Sequence, residues 1–353
     1  VLQQMTLQPG DLLAITRPVG PQAGTYQLPA AALAELADPR PVLAISGVLW
    51  STVRSAADNS WQAICWSPEL GLYACVAGSG TGNRAMTSSD GIRWSTQPSA
   101  ADQNWVALCW AAELGLFVAV SDSGIGNRVM TSPDGRSWTL RQTPTNNNWT
   151  GVCWAPELGL LVAVASSGTG NRVMTSSDGI QWTAGPAAAD QEWRSLCWAQ
   201  QLGLLVAVSS TGGNQRVMTS SDGRNWTLRT AAATNSWTAL CWAAELGLLV
   251  ALSTSGKGNR VMTSPDGSSW TSRTSAADNA WNSLCWSPQR ELLVAVSSSG
   301  TGNRIMTSAD GISWMVRSSP ADLGWRSLCW SPQRRQFAAV SNSGAGNRVM
   351  VSP

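Results

Sequence analysis

Seven arginines recur at a fixed interval of 44 residues: Arg84, Arg128, Arg172, Arg216, Arg260, Arg304 and Arg348. In six of the seven units an asparagine stands directly before the arginine, at Asn83, Asn127, Asn171, Asn259, Asn303 and Asn347. A second segment of each unit contributes a tryptophan, at Trp61, Trp105, Trp149, Trp193, Trp237, Trp281 and Trp325, and in five units an acid: Asp58, Asp102, Asp190, Asp278 and Asp322. This is the chemistry of a neutral sugar site. Paired hydroxyls call for bidentate donors and acceptors, and the apolar face of a pyranose calls for a flat aromatic ring. The same residues also have a simpler use, in which each arginine pairs with a neighbouring loop aspartate and the tryptophans are core. Asn146 and Thr234 stand where two of the acids would be, so in those units something else must satisfy the arginine.

The elements that would position these residues follow from the repeat. Cys-Trp dipeptides at Cys65, Cys109, Cys153, Cys197, Cys241, Cys285 and Cys329 keep the same 44-residue spacing, as do Met86, Met130, Met174, Met218, Met262, Met306 and Met350. Seven units of 44 take up 308 of the 353 residues and leave 45 ahead of them. Within one unit four short apolar runs, 237–242, 248–252, 260–263 and 269–272, are separated by Gly, Asn, Asp and Ser clusters. Such runs predict four strands joined by hairpins. Four strands in some forty residues, without a 3.6-residue period, predict an all-β chain: a seven-bladed β-propeller of four-stranded antiparallel blades over residues 46–353. Pro353 ends where an outer strand should begin, while residues 48–54 match an outer strand that lacks its blade. The N-terminal strand is therefore expected to close the ring and remove an open edge.

Between third and outer strands six units carry Ser-x-Asp-Gly-x-x-Trp, as in Ser88, Asp90, Gly91 and Trp94, and likewise around Asp134, Asp178, Asp222, Asp266 and Asp310. Ser46 stands where the seventh aspartate would be. In this motif the carboxylate can accept turn N–H groups, the glycine supplies positive φ and the tryptophan pins the hairpin. Here the chain resembles the Asp-box (BNR) propellers, with a motif one residue shorter, in the manner of wider bacterial and viral Trp-rich repeats. The resemblance covers residues 46–353.

Some propellers of that family are sialidases and other glycosidases, which need one asymmetric site with paired carboxylates or an activated tyrosine. Here the acids are repeated turn residues, the only tyrosines are Tyr26 and Tyr73, and there is no histidine to act as a base. A non-enzymatic chain is expected. Glu69, Glu113, Glu157 and Glu245 fall in hairpin turns where three units have Gln. No cofactor or metal is expected, since CxxC pairs are also absent. The inner-strand cysteines read as buried thiols, with Cys75 placed so that it could face Cys65 across a hairpin.

With 23 basic and 21 acidic side chains the net charge is +2, which gives no field to draw nucleic acid. No run of 18 apolar residues suggests membrane insertion, and the start lacks the order of a signal peptide, so synthesis in the cytoplasm is expected.

Residues 1–45 are unlike the repeat and read as strand, strand and short helix, the last over 29–37. Pro9-Gly10-Asp11-Leu12-Leu13 ahead of Tyr26-Gln27-Leu28-Pro29 resembles small N-terminal modules of phage tail and other virion proteins. That resemblance implies an anchoring or oligomerisation segment with other virion proteins as its partners, and a virion or extracellular setting. Near-identical units imply near-identical sites, which suits multivalent, lectin-like recognition of cell-surface glycans or glycoconjugates. A structural propeller that docks other proteins, without a sugar site, is the alternative, and a glycosidase comes third.

Overall fold

The computed structural model describes residues 46–352 and, ahead of them, two short strands, Leu13–Thr16 and Thr25–Leu28. Those two pair antiparallel, Leu13 opposite Leu28 and Thr16 opposite Thr25. The helix expected over 29–37 lies outside the described residues. The chain divides into two compact units, residues 1–45 and residues 46–353.

The second unit is a seven-bladed β-propeller, each blade a four-stranded antiparallel meander. The first blade runs Trp61–Ser67, Leu72–Ala77, Ala85–Ser88 and Ser95–Gln97 from inner to outer strand. The second strand of each blade is mostly apolar and buried, along its whole length in Leu160–Ala165, because both faces of a blade pack on neighbours. Its alternation divides the side chains between two junctions. Tyr73, Cys75 and Ala77 join a cluster with Ala338 and Val340, while Val76 packs with Trp105 on the other side. The core is thus seven wedges between blades rather than one central mass.

Inner strands touch their neighbours all round the axis, Trp325–Ser331 against Trp61–Ser67 included. The last blade is completed by Ser51–Val53, which pairs with Val349–Ser352 in the register Ser51 to Val351, Thr52 to Met350 and Val53 to Val349. Closure by the N-terminal strand is as the repeat frame requires.

Each Ser-x-Asp-Gly-x-x-Trp turn is built on its own polar atoms. Asp90 Oδ1 accepts the N–H groups of Ile92 and Arg93 at 2.8 Å, Gly91 N–H donates to Ser88 Oγ, and Trp94 Nε1 donates to the Gly91 carbonyl. Gly91 has φ +75, the left-handed region that glycine enters without strain. The inner-to-second hairpins of blades two to five form a single 3-10 turn closed by glycine, as at Gly115 with φ +61. In blades six and seven Glu291 and Arg335 hold that left-handed position, with φ +49 and +50.

Candidate functional site

The connectors that join the outer strand to the next inner strand, and the second strand to the third, meet on one face of the disc. Their arginines are spent on the fold. Arg84 Nε donates to the Gly80 carbonyl at 2.8 Å, and one terminal nitrogen donates to Gly78 at 2.9 Å and to Gln103, in the next blade, at 2.8 Å. Asp102 lies 3.5 Å from Arg84 Nε and accepts the Gly82 N–H at 2.7 Å. The same unit-to-next-unit pairing joins Arg172 to Asp190, Arg260 to Asp278 and Arg304 to Asp322, and Arg348 to Asp58 at the closing junction. Arg84, Asp58 and Trp61 of one unit therefore belong to two different junctions. An arginine bonded to carbonyls of two blades is a rivet, with the carboxylate as its counter-ion.

Asn146 and Thr234 test this arrangement by leaving it without an acid. Arg128 still donates to the carbonyls of Gly124, Asp122 and Asn147 and to Asn148 Oδ1, and Arg216 to the carbonyls of Gly213, Ser210 and Asn235. Backbone carbonyls satisfy both. Burial lowers the pKa of these two guanidinium groups, and Asp122 partly offsets this at Arg128. The asparagines are engaged as well: Oδ1 of Asn83, Asn171, Asn259 and Asn303 accepts from the amide of Asn59, Asn147, Asn235 and Asn279. Asn127 lies against Gln103 in the same way, whereas Asn347 turns back to accept the N–H of Ala345.

The tryptophans correct the sugar-site expectation. Trp61, Trp105, Trp149, Trp193, Trp237, Trp281 and Trp325 are all 0% exposed, so none offers a ring face for a pyranose to stack on. Their position opens the inner strand and points between blades, where an indole fills the wedge. Six of them donate Nε1 to a loop carbonyl four residues back, as Trp61 does to Ala57. Trp149 is the exception. Its Nε1 is buried without a partner, and so is Oγ1 of Thr145, which stands where the other six units have alanine.

On the other face the second tryptophan column forms a ring of indole-to-side-chain bonds. Trp66, Trp110, Trp198 and Trp330 donate Nε1 to Gln333, Glu69, Glu157 and Gln289 of the preceding blade at 2.5–2.7 Å, and Trp154, Trp242 and Trp286 do the same to Glu113, Gln201 and Glu245. The bond needs only an Oε acceptor. That is why Glu and Gln alternate freely at this position.

All eight cysteines are free thiols, and Cys65 lies opposite Ala74 while Cys75 lies opposite Ile64. The inner-strand thiols are half-buried, and burial pushes them up, Cys153 and Cys241 to about 12. Among the described residues no three His, Cys, Asp or Glu side chains cluster as metal ligands, and no helix is long and apolar enough to cross a membrane.

The feature that the sequence reading missed is the axial mouth on the connector face, an open polar basin of about 530 Å³. Each blade contributes to it the residue after the inner-strand tryptophan: Gln62, Val106, Thr150, Arg194, Thr238, Asn282 and Arg326. The inner strands shift register at this residue in every blade, a bulge that frees its side chain from the ladder. Three of the seven bond to the next blade, Thr150, Thr238 and Asn282 donating to the carbonyls of Trp193, Trp281 and Trp325. Below the mouth a smaller cavity of about 180 Å³ is lined by Leu108, Val152, Leu196, Leu240 and Leu284. The available signal was the variation itself. In a chain whose tryptophans, arginines and methionines are copied seven times, this column holds five residue types.

No protein-family model matches the chain, and no curated protein matches it. Solved structures do. The β-propeller domain of Myceliophteria thermophila Cps50 (Swd1) is 13% identical, with TM-score 0.63 over 88% of this chain and 100% of that one. The WD40 β-propeller domain of Doa1 is 11% identical, with TM-score 0.65 over 87% and 97%. A chain of the Mitotic Checkpoint Complex is 16% identical, with TM-score 0.61 over 86% and 93%. The GH74 enzyme of Niastella koreensis is 13% identical, with TM-score 0.66 over 86% of this chain and 53% of that one. At these identities the likeness is one of fold.

Proposed function

We propose that this chain is a non-enzymatic docking propeller that receives a segment of a partner protein at the axial mouth of its connector face. One observation carries the reading: repetition breaks where the seven blades converge, at Gln62, Val106, Thr150, Arg194, Thr238, Asn282 and Arg326 around the 530 Å³ basin. A mouth with a different group on nearly every side suits one asymmetric chain segment. It does not suit a ligand presented seven times.

Multivalent glycan recognition needs the repeated Arg, Asn and Trp residues free, and they are bonded or buried. Glycoside hydrolysis finds little more support. The Asp-box-like carboxylates are each held by their own turns, and Tyr73 is fully buried, with burial foremost in raising its pKa. One propeller of this fold was solved within the Mitotic Checkpoint Complex, a multiprotein setting of the kind proposed here. In this proposal residues 1–45 serve as the anchor or oligomerisation segment.

Peptide-display selection against the intact protein, run beside a glycan array, tests the proposal. Enriched peptides whose binding is weakened by substitution at Asn282 or Arg194, with no saturable glycan signal, are the expected outcome. Saturable sugar binding with no enriched peptide refutes it.

A further inference from the structure

Two arginines, Arg194 and Arg326, occupy equivalent places in the mouth, and the repeat makes one a template for the other. Arg194 is paired within the chain. Its Nε donates to Ser210 Oγ at 3.0 Å, a terminal nitrogen donates to Glu192 Oε2, and Ser210 Oγ donates to the same Glu192 oxygen at 2.9 Å. Guanidinium, hydroxyl and carboxylate thus form a closed triad, and the Glu192 carboxyl is held low by Ser210 and, against a burial effect, by Arg194.

In the seventh blade two members of that triad are missing. Gly324 stands where Glu192 stands, and Asn342 where Ser210 stands. Among the described residues Arg326 makes no hydrogen bond or ion pair, and its Nε is buried without a partner. Burial pulls its pKa down. Gly324 does not have the positive φ that would require glycine; a Cβ there would instead meet Asn342 Oδ1 at 2.3 Å. Among the described residues the Asn342 side chain makes no hydrogen bond; only its backbone N–H and carbonyl do. A buried Nε–H without an acceptor is costly, and an oxygen anion removes that cost.

From this we infer that the seventh-blade sector of the mouth is a carboxylate site: Arg326 and the Asn342 amide take the carboxylate of a ligand where Glu192 serves Arg194 from within the chain. The inference deepens the docking reading, on which it rests for the mouth as a contact surface, by naming the group that enters. It also separates from that reading, because a free small carboxylate can fill the site without any peptide.

The experiment follows the Arg326 Nε–H signal by nitrogen-proton NMR in the full chain, the signal being assigned by its loss in Arg326→Gln. Acetate and glutarate are expected to move it saturably and to leave the Arg194 signal in place. A peptide with a free C-terminal carboxylate and its amidated twin, both without acidic side chains, distinguish a chain terminus from a small molecule. The free-acid peptide is expected to bind about tenfold or more tightly than the amidated one, the worth of one charge-assisted hydrogen bond.

Gly324→Glu combined with Asn342→Ser copies the Arg194 triad and supplies the carboxylate internally, so acetate should no longer move the Arg326 signal. If that double variant does not fold, the native chain decides the matter alone. A silent Arg326 signal with every carboxylate, an equal response of Arg194, or an equally strong response to inorganic phosphate overturns the carboxylate assignment. Peptides that bind the mouth regardless of their carboxylates would also overturn it while leaving the docking reading intact; an acetate response without any mouth-binding peptide would do the reverse.

Discussion

The backbone N–H of Gly47 donates to Ser352 Oγ at 2.6 Å, across 305 residues of chain. It is the counterpart of the bond from Gly91 to Ser88, and Trp50 Nε1 donates to the Gly47 carbonyl at 3.0 Å as Trp94 does to Gly91. The seventh turn is therefore assembled from both ends of the propeller, without the aspartate. Trp50 packs on Phe337 with ring centroids 6.2 Å apart. A variant chain beginning at residue 55 should be about 3–5 kcal/mol less stable than one beginning at residue 46, as for removal of a packed aromatic, and should self-associate through the bared Val349–Ser352 edge. Urea unfolding with light scattering checks both.

Thr145 and Trp149 form the one flawed copy of a repeated bond. Replacing Thr145 with alanine restores the residue found in the other six units, removes a buried hydroxyl without a partner and frees the loop carbonyl to meet the indole. Thr145→Ala should stabilise the protein by about 1–2 kcal/mol, read as a raised urea midpoint. The same change at a surface threonine should be neutral.

Arg216, like Arg128, lacks the carboxylate that five of its equivalents have, because Thr234 stands at the position of Asp58. Thr234→Asp should add up to about 1 kcal/mol at low salt, fading as salt rises, since the acids of this column are partly exposed. Arg84→Gln should instead cost about 2–3 kcal/mol, because three carbonyl acceptors and Asp102 lose their partner. Denaturation in low and high salt separates the two effects.

Acid should weaken the ring through its six turn carboxylates. Asp90, Asp134, Asp178, Asp222, Asp266 and Asp310 all lie below the ordinary 3.8, and Asp266 falls to about 2, chiefly because the Ser269 N–H holds its charged form. A lowered folded-state pKa contributes stability that is complete above the unfolded value and is lost as pH falls through the folded one. The unfolding midpoint should hold down to about pH 4 and decline towards pH 2. Asp266→Asn, which keeps an acceptor oxygen, should decline less steeply over that interval.

The fold was legible because each unit states it again: one 44-residue frame gives strand number, blade number and the seam between Pro353 and Ser46. The Asp90-Gly91 turn was legible for the same reason, since every atom of its network lies within seven residues. What the sequence hid were relationships between units. Arg84 meets Asp102 rather than Asp58, and Trp110 meets Glu69, because a junction in a propeller joins consecutive copies. The tryptophans could be read as stacking platforms, because a loop places them beside Asp and Asn, or as core, and the strand they open turns each ring inward as the core reading has it. Arg326 could not be singled out as unpaired until Gly324 and Asn342 were seen to take the places of Glu192 and Ser210.

Amide hydrogen exchange of the intact protein, alone and saturated with the tightest display-selected peptide, tests the docking claim most directly. The account predicts new protection at the mouth, in the connectors around Gln62, Glu192, Arg194, Gly324 and Arg326, with the Asp90-type turns of the opposite face unchanged. Protection confined to those turns, or none at the mouth, would contradict it.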